Sequence, residues 1–478
     1  MSPSSDWLQK IPDCRGLRVT VMGLGTFGGG VAATRFLVER GAVVTVTDLR
    51  SANDLADSLA QLQATPPARV HLGEHRENDF TEADVVVVSP AVPPDNRFLQ
   101  IATAAGARLT SEINLFCQGC PARIIGVTGS NGKSTTASLI HCLLQAAGVR
   151  SWLGGNIGES MLPRLGEIAP DDLVVLELSS FQLEQLDAIG WSPDVAVVTN
   201  FAPNHLDRHG TLAAYEKAKQ TILRWQQLGD VAVLNADDAV VREWPAKGRV
   251  VHFGESAEVE VGVQIRGEEL YLGTDAGTRV VSASASSLPG DHNRSNIAAA
   301  VAAIHAAGVS VRPESIGPAL QEFRGLPHRL EIVGAIAGRL FVNDSKATTP
   351  EATQAALEVF RRPVMLIVGG ADKGVDLGPL AAAIASRVKG AALIGAVAGE
   401  LDRLLADCNP EGALQRHVAG SLEDAVSWAF RISDEGDVIL LSPGCSSFGW
   451  FRSYVERGRQ FVQLFDRLRS DAGPREGG

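Results

Sequence analysis

Ten short apolar runs recur along the chain, separated by Ala- and Leu-rich stretches of helical period: LRVTVMG, AVVTVTD, ADVVVVSP, ARIIGVTG, LVVLELS, DVAVVTN, DVAVLN, PVMLIVGG, GAALIG and DVILLSPG. A strand that is apolar on both faces must be covered on both faces. Parallel sheets flanked by helices meet that condition, whereas an antiparallel sheet with one wet face alternates polar and apolar residues. The pattern predicts an α/β protein with several doubly wound sheets. At 478 residues the chain exceeds what one core organises, so two or three domains are expected.

Two breaks divide the pattern, CQGCPAR before the fourth run and FRGLPHRLEIV, where Gly325 and Pro327 interrupt a helical stretch. They predict domains over 1–119, 120–325 and 326–478. Between VVHFGES and SSLPGDHN the segments VEVGVQIRG and EELYLG read as a small antiparallel insertion.

A formal net charge of −12 argues against a protein that coats nucleic acid, which needs many phosphate-neutralising Lys and Arg side chains. The start MSPSSDWLQK lacks a basic segment followed by an apolar core, and no apolar run approaches the roughly 18 residues of a membrane span. A cytoplasmic protein without membrane contact is expected, as a monomer. Cys117 and Cys120 form a C-x-x-C pair, but no second pair completes a ligand set, so structural cysteines are expected.

Two glycine-rich turns follow predicted strands. VMGLGTFGGG carries Gly23-x-Gly25-x-x-Gly28, with Asp48 closing the next strand. Glycines allow the tight turn, a helix N-terminus favours a pyrophosphate, and an acidic residue about 20 positions on ordinarily meets a ribose hydroxyl. Alone, this turn suits any nucleotide diphosphate, NAD included.

GVTGSNGKSTT departs from the strict G-x-x-x-x-G-K-[ST] pattern because Val127 occupies the first glycine position. The physical parts remain: Gly129 and Gly132 turn amides inward, Lys133 reaches the β/γ-phosphates, and Ser134 can ligate magnesium. Downstream, LVVLELSSFQLE ends a strand at Glu177, and VAVVTN releases the loop FAPNHLDRHG with His205. At the carboxyl ends of parallel strands, Glu177 and His205 can hold cations beside a triphosphate.

GVTGSNGKST, GGNIG, ELSSFQLE, TNFAPNHLDRHG, LPGDHNRSNIAAA, GLPHRLE, NDSKATTPEA and LLSPGCSSFGWF span nearly the whole chain in one order. Together they resemble the Mur ligases of peptidoglycan synthesis, which join an amino acid to a UDP-linked muramyl carboxylate with ATP. ELSSFQLE, NDSKAT and LSPGCSSF are most similar to the D-glutamate-adding branch, and the DNPR signature of the diaminopimelate- or lysine-adding members is absent.

The resemblance implies three domains: a Rossmann-like UDP-binding domain, a central P-loop ATPase-like domain, and a Rossmann-like domain for the amino acid. The reaction implied is ligation of D-glutamate to UDP-N-acetylmuramoyl-L-alanine through an acyl phosphate, with two magnesium sites. Gly129, Ser130, Asn131, Gly132, Lys133, Ser134 and Thr135 would hold the phosphates, and Asn293, Asn296, Arg329, Asp344 and Lys346 the rest of ATP. Ser134 and Glu177 would take one magnesium. His205 and a carbamylated Lys219, in Tyr215-Glu216-Lys217-Ala218-Lys219, would take the second. Catalysis would rest on Lys133, Glu177, His205 and Lys219. Read from the residues alone, Lys219 is a solvated lysine one helical turn from Tyr215.

By the same resemblance, the UDP substrate would meet Leu24, Thr26, Phe27, Asp48, Arg50, Ser89 and Asn156, and glutamate would meet Thr348, Lys373, Ser447 and Tyr454. The family commonly has Asn after SKAT and Phe where Tyr454 stands. Three other readings stay open: a sister ligase using L-glutamate or another amino acid, an NAD-dependent dehydrogenase, and an ATP-binding regulator that forms no product.

Overall fold

The computed structural model describes residues 14–26, 28–158, 160–204, 206–255, 261–273, 277–286, 288, 292–310, 312–323, 325–372, 374–408, 414–447 and 449–471. Of the candidate residues, Phe27, His205 and Lys373 lie outside the described residues.

Three sheets carry the fold. The first contains β1 (Arg18–Met22), β2 (Val43–Asp48), β3 (Arg69–Leu72), β4 (Val85–Val88) and β5 (Arg108–Thr110), in the order β3-β2-β1-β4-β5. Every pair is parallel. The order reverses between β1 and β4, so the loops that leave these strands open side by side at the carboxyl edge, where α/β sheets bind ligands.

The second sheet contains β6 (Arg123–Thr128), β7 (Ser151–Gly155), β8 (Leu173–Glu177), β9 (Val195–Val198), β10 (Val231–Asn235), β11 (Arg249–Gly254), β12 (Gly262–Arg266), β13 (Glu269–Leu272) and β14 (Thr278–Ser282). Its order is β14-β13-β12-β11-β10-β9-β6-β8-β7. The segments expected as a small antiparallel insertion pair antiparallel with one another and extend this sheet. β12 pairs parallel with β11 through Phe253 and Val263, and the β12-β13 and β13-β14 pairs are antiparallel. β6 lies between β8 and β9, which sets the ends of these three strands next to one another.

The third sheet contains β15 (Glu331–Ile336), β16 (Arg339–Asn343), β17 (Val364–Gly369), β18 (Val388–Ile394), β19 (Gln415–Val418) and β20 (Val438–Leu441), in the order β15-β16-β20-β17-β18-β19. β15 and β16 form an antiparallel hairpin, and the remaining pairs are parallel.

Every residue of β4, β8, β9, β10, β17 and β20 is buried, as the apolar runs require. Each Val, Leu or Ile buried this way contributes roughly 1.5–3 kcal/mol relative to an exposed one. The chain divides into two compact units, residues 1–285 with 294–320, and residues 286–293 with 321–478. The first unit holds the first two sheets, which share a core: Phe116 and Cys117 of the helix Glu112–Gly119 lie in the same cluster as Leu183 and Leu186. The position expected as the first domain boundary, 119/120, is inside this unit. Burial raises the thiol pKa of both Cys117 and Cys120, which disfavours the thiolate.

Candidate active site

The loop between β6 and the helix Lys133–Ala146 is shaped by its glycines and braced by the end of β9. Gly129 has φ 150 and Gly132 φ 79, conformations that favour glycine. A Cβ at Gly129 would overlap Thr199 Oγ1, and one at Gly132 would overlap Asn296 Oδ1. Thr199 Oγ1 donates to Asn131 O at 2.6 Å, Asn131 N donates to Asn200 Oδ1 at 2.8 Å, and Ser130 N donates to Asn200 O at 2.9 Å. Ser130 Oγ donates to Ala202 O at 2.8 Å and accepts from Ala202 N at 2.9 Å. Loop shape is therefore set before any anion arrives.

Lys133 and Lys219 approach this loop from two sides. Lys133 Nζ donates to the carbonyls of Gly129 at 3.0 Å and Ser130 at 2.9 Å, and Lys219 Nζ donates to Gly129 O at 2.7 Å. The solvated-lysine reading of Lys219 fails: it is 1% exposed, with Nζ 4.8 Å from the centre of the buried Tyr215 ring. Its helix, Leu212–Arg224, packs that face inward. Burial, then the charge of Lys133, lowers its pKa to about 6 against the opposing pull of Glu177. At neutral pH the amine is mostly uncharged, with a free lone pair.

Glu177 ends β8 at 2% exposure. Its Oε1 accepts from Asn156 Nδ2 at 3.0 Å, while its Oε2 is buried with no hydrogen-bond partner among the described residues. A buried, unsatisfied carboxylate oxygen is expensive unless a cation completes it. Together with Ser134, 2% exposed at the start of the adjacent helix, it supplies the hard oxygen donors that suit magnesium. Asn156, implied as a muramyl contact, thus bonds the carboxylate beside the phosphate loop. Asn296 acts from behind the loop, accepting from Thr136 Oγ1 at 3.3 Å. Thr135 is in the first turn of the helix, and Asn293 is near the start of the helix His292–Ala306.

In the first sheet, Asp48 accepts from Gly25 N at 3.0 Å and from Arg50 N at 2.9 Å, so the carboxylate shapes the glycine loop itself. Arg50 Nη1 reaches Thr26 Oγ1 at 3.4 Å, and Leu24 turns its side chain into the core. Ser89 N donates to Met22 O at 3.0 Å, which brings the loops after β1 and β4 together.

In the second unit, Asp344 is buried at the end of β16 and accepts from Leu330 N at 3.1 Å and Ser442 Oγ at 2.8 Å. Burial raises its pKa to about 7. Arg329 is exposed between two left-handed non-glycine residues, His328 at φ 66 and Leu330 at φ 43, a strained arrangement of the sort found near ligand sites. Lys346 N donates to His328 O at 2.9 Å. Thr348 lines a cavity of about 190 Å³, and Ser447 lines one of about 450 Å³ that opens at the reversal point between β17 and β20. Tyr454 starts the helix Tyr454–Asp471 and lines neither cavity.

Sequence reading missed several partners. His209, whose side chain is 1% exposed, contacts Ser180 Oγ at 3.0 Å and Glu184 Oε1 at 3.2 Å through its two ring nitrogens. Its place in NHLDRHG, four residues after His205, was the available signal. The fully buried Arg457 had none, because an arginine in an amphipathic helix reads as surface.

Comparison with known proteins bears on all three sheets. Residues 17–111 match the Mur ligase MurD-like N-terminal domain, residues 127–304 the Mur ligase middle domain, and residues 328–445 the Mur ligase glutamate ligase domain. The chain is 44% identical over 466 residues to the UDP-N-acetylmuramoylalanine–D-glutamate ligase of Roseiflexus sp. (strain RS-1), covering 94% of this chain and 98% of that one. It is 39% identical over 460 residues to the enzyme of the same name from Koribacter versatilis, covering 95% and 98%. Among solved structures, the UDP-N-acetylmuramate-alanine ligase MurC of Thermotoga maritima superposes with a TM-score of 0.61 at 18% identity, covering 95% of this chain and 100% of that one. This last likeness concerns the fold. On these grounds the chain belongs to the Mur ligase family, in its UDP-N-acetylmuramoylalanine–D-glutamate ligase branch.

Proposed function

We propose that the protein joins D-glutamate to the L-alanyl carboxylate of UDP-N-acetylmuramoyl-L-alanine, converting ATP to ADP and phosphate, as an early amide-forming step of peptidoglycan precursor synthesis. The observation that carries this reading is the meeting of Lys133 and Lys219 on the Gly129 carbonyl of a phosphate-type loop, with Glu177 on the adjoining strand keeping an Oε2 that has no hydrogen-bond partner among the described residues. Near full-length similarity to D-glutamate ligases supports the choice of amino acid.

A carboxylate resists attack because its charge repels the amine. Phosphorylation by ATP gives an acyl phosphate, a good electrophile, and the amine then displaces phosphate through a tetrahedral intermediate. Residues 129–135 hold the triphosphate, with Lys133 released from its two carbonyls to meet the β/γ-oxygens. Ser134 and Glu177 would hold magnesium, which would supply the positive charge that crowded phosphate oxygens need. The uncharged Lys219 amine suits carbon dioxide, and the resulting carbamate would stand with His205 as donors for a second ion.

Thr26, Asp48, Arg50 and Ser89 with the backbone of Leu24 and with Phe27 take the uridine nucleotide, and Asn156 the muramyl end. Asn293, Asn296, Arg329, Asp344 and Lys346 serve the nucleotide, while Thr348, Lys373, Ser447 and Tyr454 serve glutamate. Domains over 1–119, 120–325 and 326–478, a monomeric state and a cytoplasmic site belong to the same reading.

The test incubates the protein with ATP, magnesium, UDP-N-acetylmuramoyl-L-alanine and either D- or L-glutamate, and measures phosphate and ligated product. D-glutamate is expected to give both in equal amounts. Phosphate that appears without either acceptor or amino acid would refute the ligase, and equal use of L-glutamate would refute the stereochemistry.

A further inference from the structure

We propose that Arg208 is a positioning residue for the uridine-linked substrate, locking the turn after β4 onto the central domain beside the phosphate loop. The inference rests on the functional reading above. Arg208 Nη1 donates to Ala91 O at 3.4 Å, and Nη2 donates to Pro90 O at 3.4 Å and Val92 O at 3.0 Å. One guanidinium therefore gathers the carbonyls of three consecutive residues, a geometry that its fork of donors permits and a single ammonium does not.

The turn so held carries Ser89. Val92 N donates to Ser89 O at 3.0 Å and Ala91 N to Ser89 Oγ at 3.4 Å. A Cβ at Gly23 would overlap the Ser89 side chain, so this turn forms one wall of the glycine loop. Moving it displaces the surface that the uridine nucleotide meets.

On its other side Arg208 is linked to the phosphate loop through a chain of ring contacts. Its guanidinium is 5.2 Å from the Phe181 ring centre, and Phe181 stacks on His209 at 5.3 Å and 13°. His209 is 5.2 Å from the Tyr215 ring, and Tyr215 Oη is 3.2 Å from Ser130 Oγ. Arg208 itself belongs to the short helix Leu206–His209. Position of the turn is thereby referred to the residues around Lys219 and the triphosphate. Because Arg208 touches no reacting atom, its loss should weaken binding of this one substrate equally in ground and transition states.

Arg208→Ala is expected to raise KM for UDP-N-acetylmuramoyl-L-alanine about tenfold, roughly 1.4 kcal/mol. KM for ATP and kcat should stay within about twofold, and Arg208→Lys should recover part of the loss. Hydrogen exchange in a peptide covering residues 89–92 reads the same tether without turnover and should speed up about tenfold in Arg208→Ala. An unchanged substrate KM, or equal rises for ATP and glutamate, would overturn the proposal. If the wild-type protein fails to ligate, the functional reading falls, while unchanged exchange at 89–92 separately removes the tether. Should Arg208→Ala not fold, Arg208→Lys decides: wild-type KM and exchange overturn the proposal.

Discussion

Replacing Arg457 by Met isolates what one buried cation does for the second unit. The side chain is fully buried, and its Nε donates to Ser345 Oγ at 3.0 Å. Nη2 donates to Ser345 O at 2.9 Å and Cys445 O at 3.3 Å, and Nη1 donates to Cys445 O at 3.2 Å. Ser345 Oγ in turn donates to Tyr454 O at 2.8 Å. The guanidinium thus ties the NDSKAT loop, the GCSS loop and the last helix into one body. Hydrogen bonds from a charged donor contribute roughly 1.5–3 kcal/mol, and a buried carbonyl deprived of its donor costs about 1–3 kcal/mol. Against this stands the desolvation of the guanidinium, visible in a pKa lowered by burial to about 10. Removing that burden offsets part of the loss, leaving a net destabilisation of about 3 kcal/mol. Hydrogen exchange in peptides covering 344–347 and 442–447 should then accelerate roughly a hundredfold, since about 1.4 kcal/mol corresponds to a factor of ten. Peptides from the first sheet should not change. Arg457→Lys should recover less than half, because one ammonium cannot span both carbonyls. Exchange within about threefold of wild type in Arg457→Met would refute the reasoning.

Lys133→Ala should abolish phosphate release in the presence of both substrates. Lys219→Ala should also be inactive yet partly restored by short carboxylic acids, which supply the oxygens of the proposed carbamate; full activity without them would remove that role. Asp344 holds its proton up to about pH 7 when folded but releases it near 3.8 when unfolded. Its contribution to stability is therefore complete below pH 3.8 and is lost as pH rises to about 7. Denaturant titrations should show Asp344→Asn lacking a decline on the order of 4 kcal/mol across that window. Gly129→Ala should weaken ATP binding at least tenfold, because φ 150 and the overlap with Thr199 force the loop to move; an unchanged Kd for ATP contradicts the loop geometry.

All ten apolar runs became strands, because a strand buried on both faces has few alternatives in how it can be read. Among the strands that escaped notice, β3 is exposed or half-buried throughout and β5 has three residues, whereas β16, inside its sheet, begins with two half-buried residues that break the apolar run. β12 to β14 were visible as alternating segments, but their attachment to β11 depends on a pairing between chain segments that no local pattern encodes. Glycine spacing and the order of short motifs were enough to point to a nucleotide, a triphosphate and a ligase family. The sequence by itself determined the fold class and the chemical class of the site, since both rest on residue types at fixed local spacing. Tertiary structure alone decided that Lys219 is buried with its pKa lowered to about 6, that Glu177 keeps an oxygen without a hydrogen-bond partner among the described residues, and that Asp48 spends both oxygens on its own loop. Burial, pKa and hydrogen-bond satisfaction depend on which distant residues close around a group, and for Lys219 those are Thr128, Gly129 and Lys133, some 90 positions earlier in the chain.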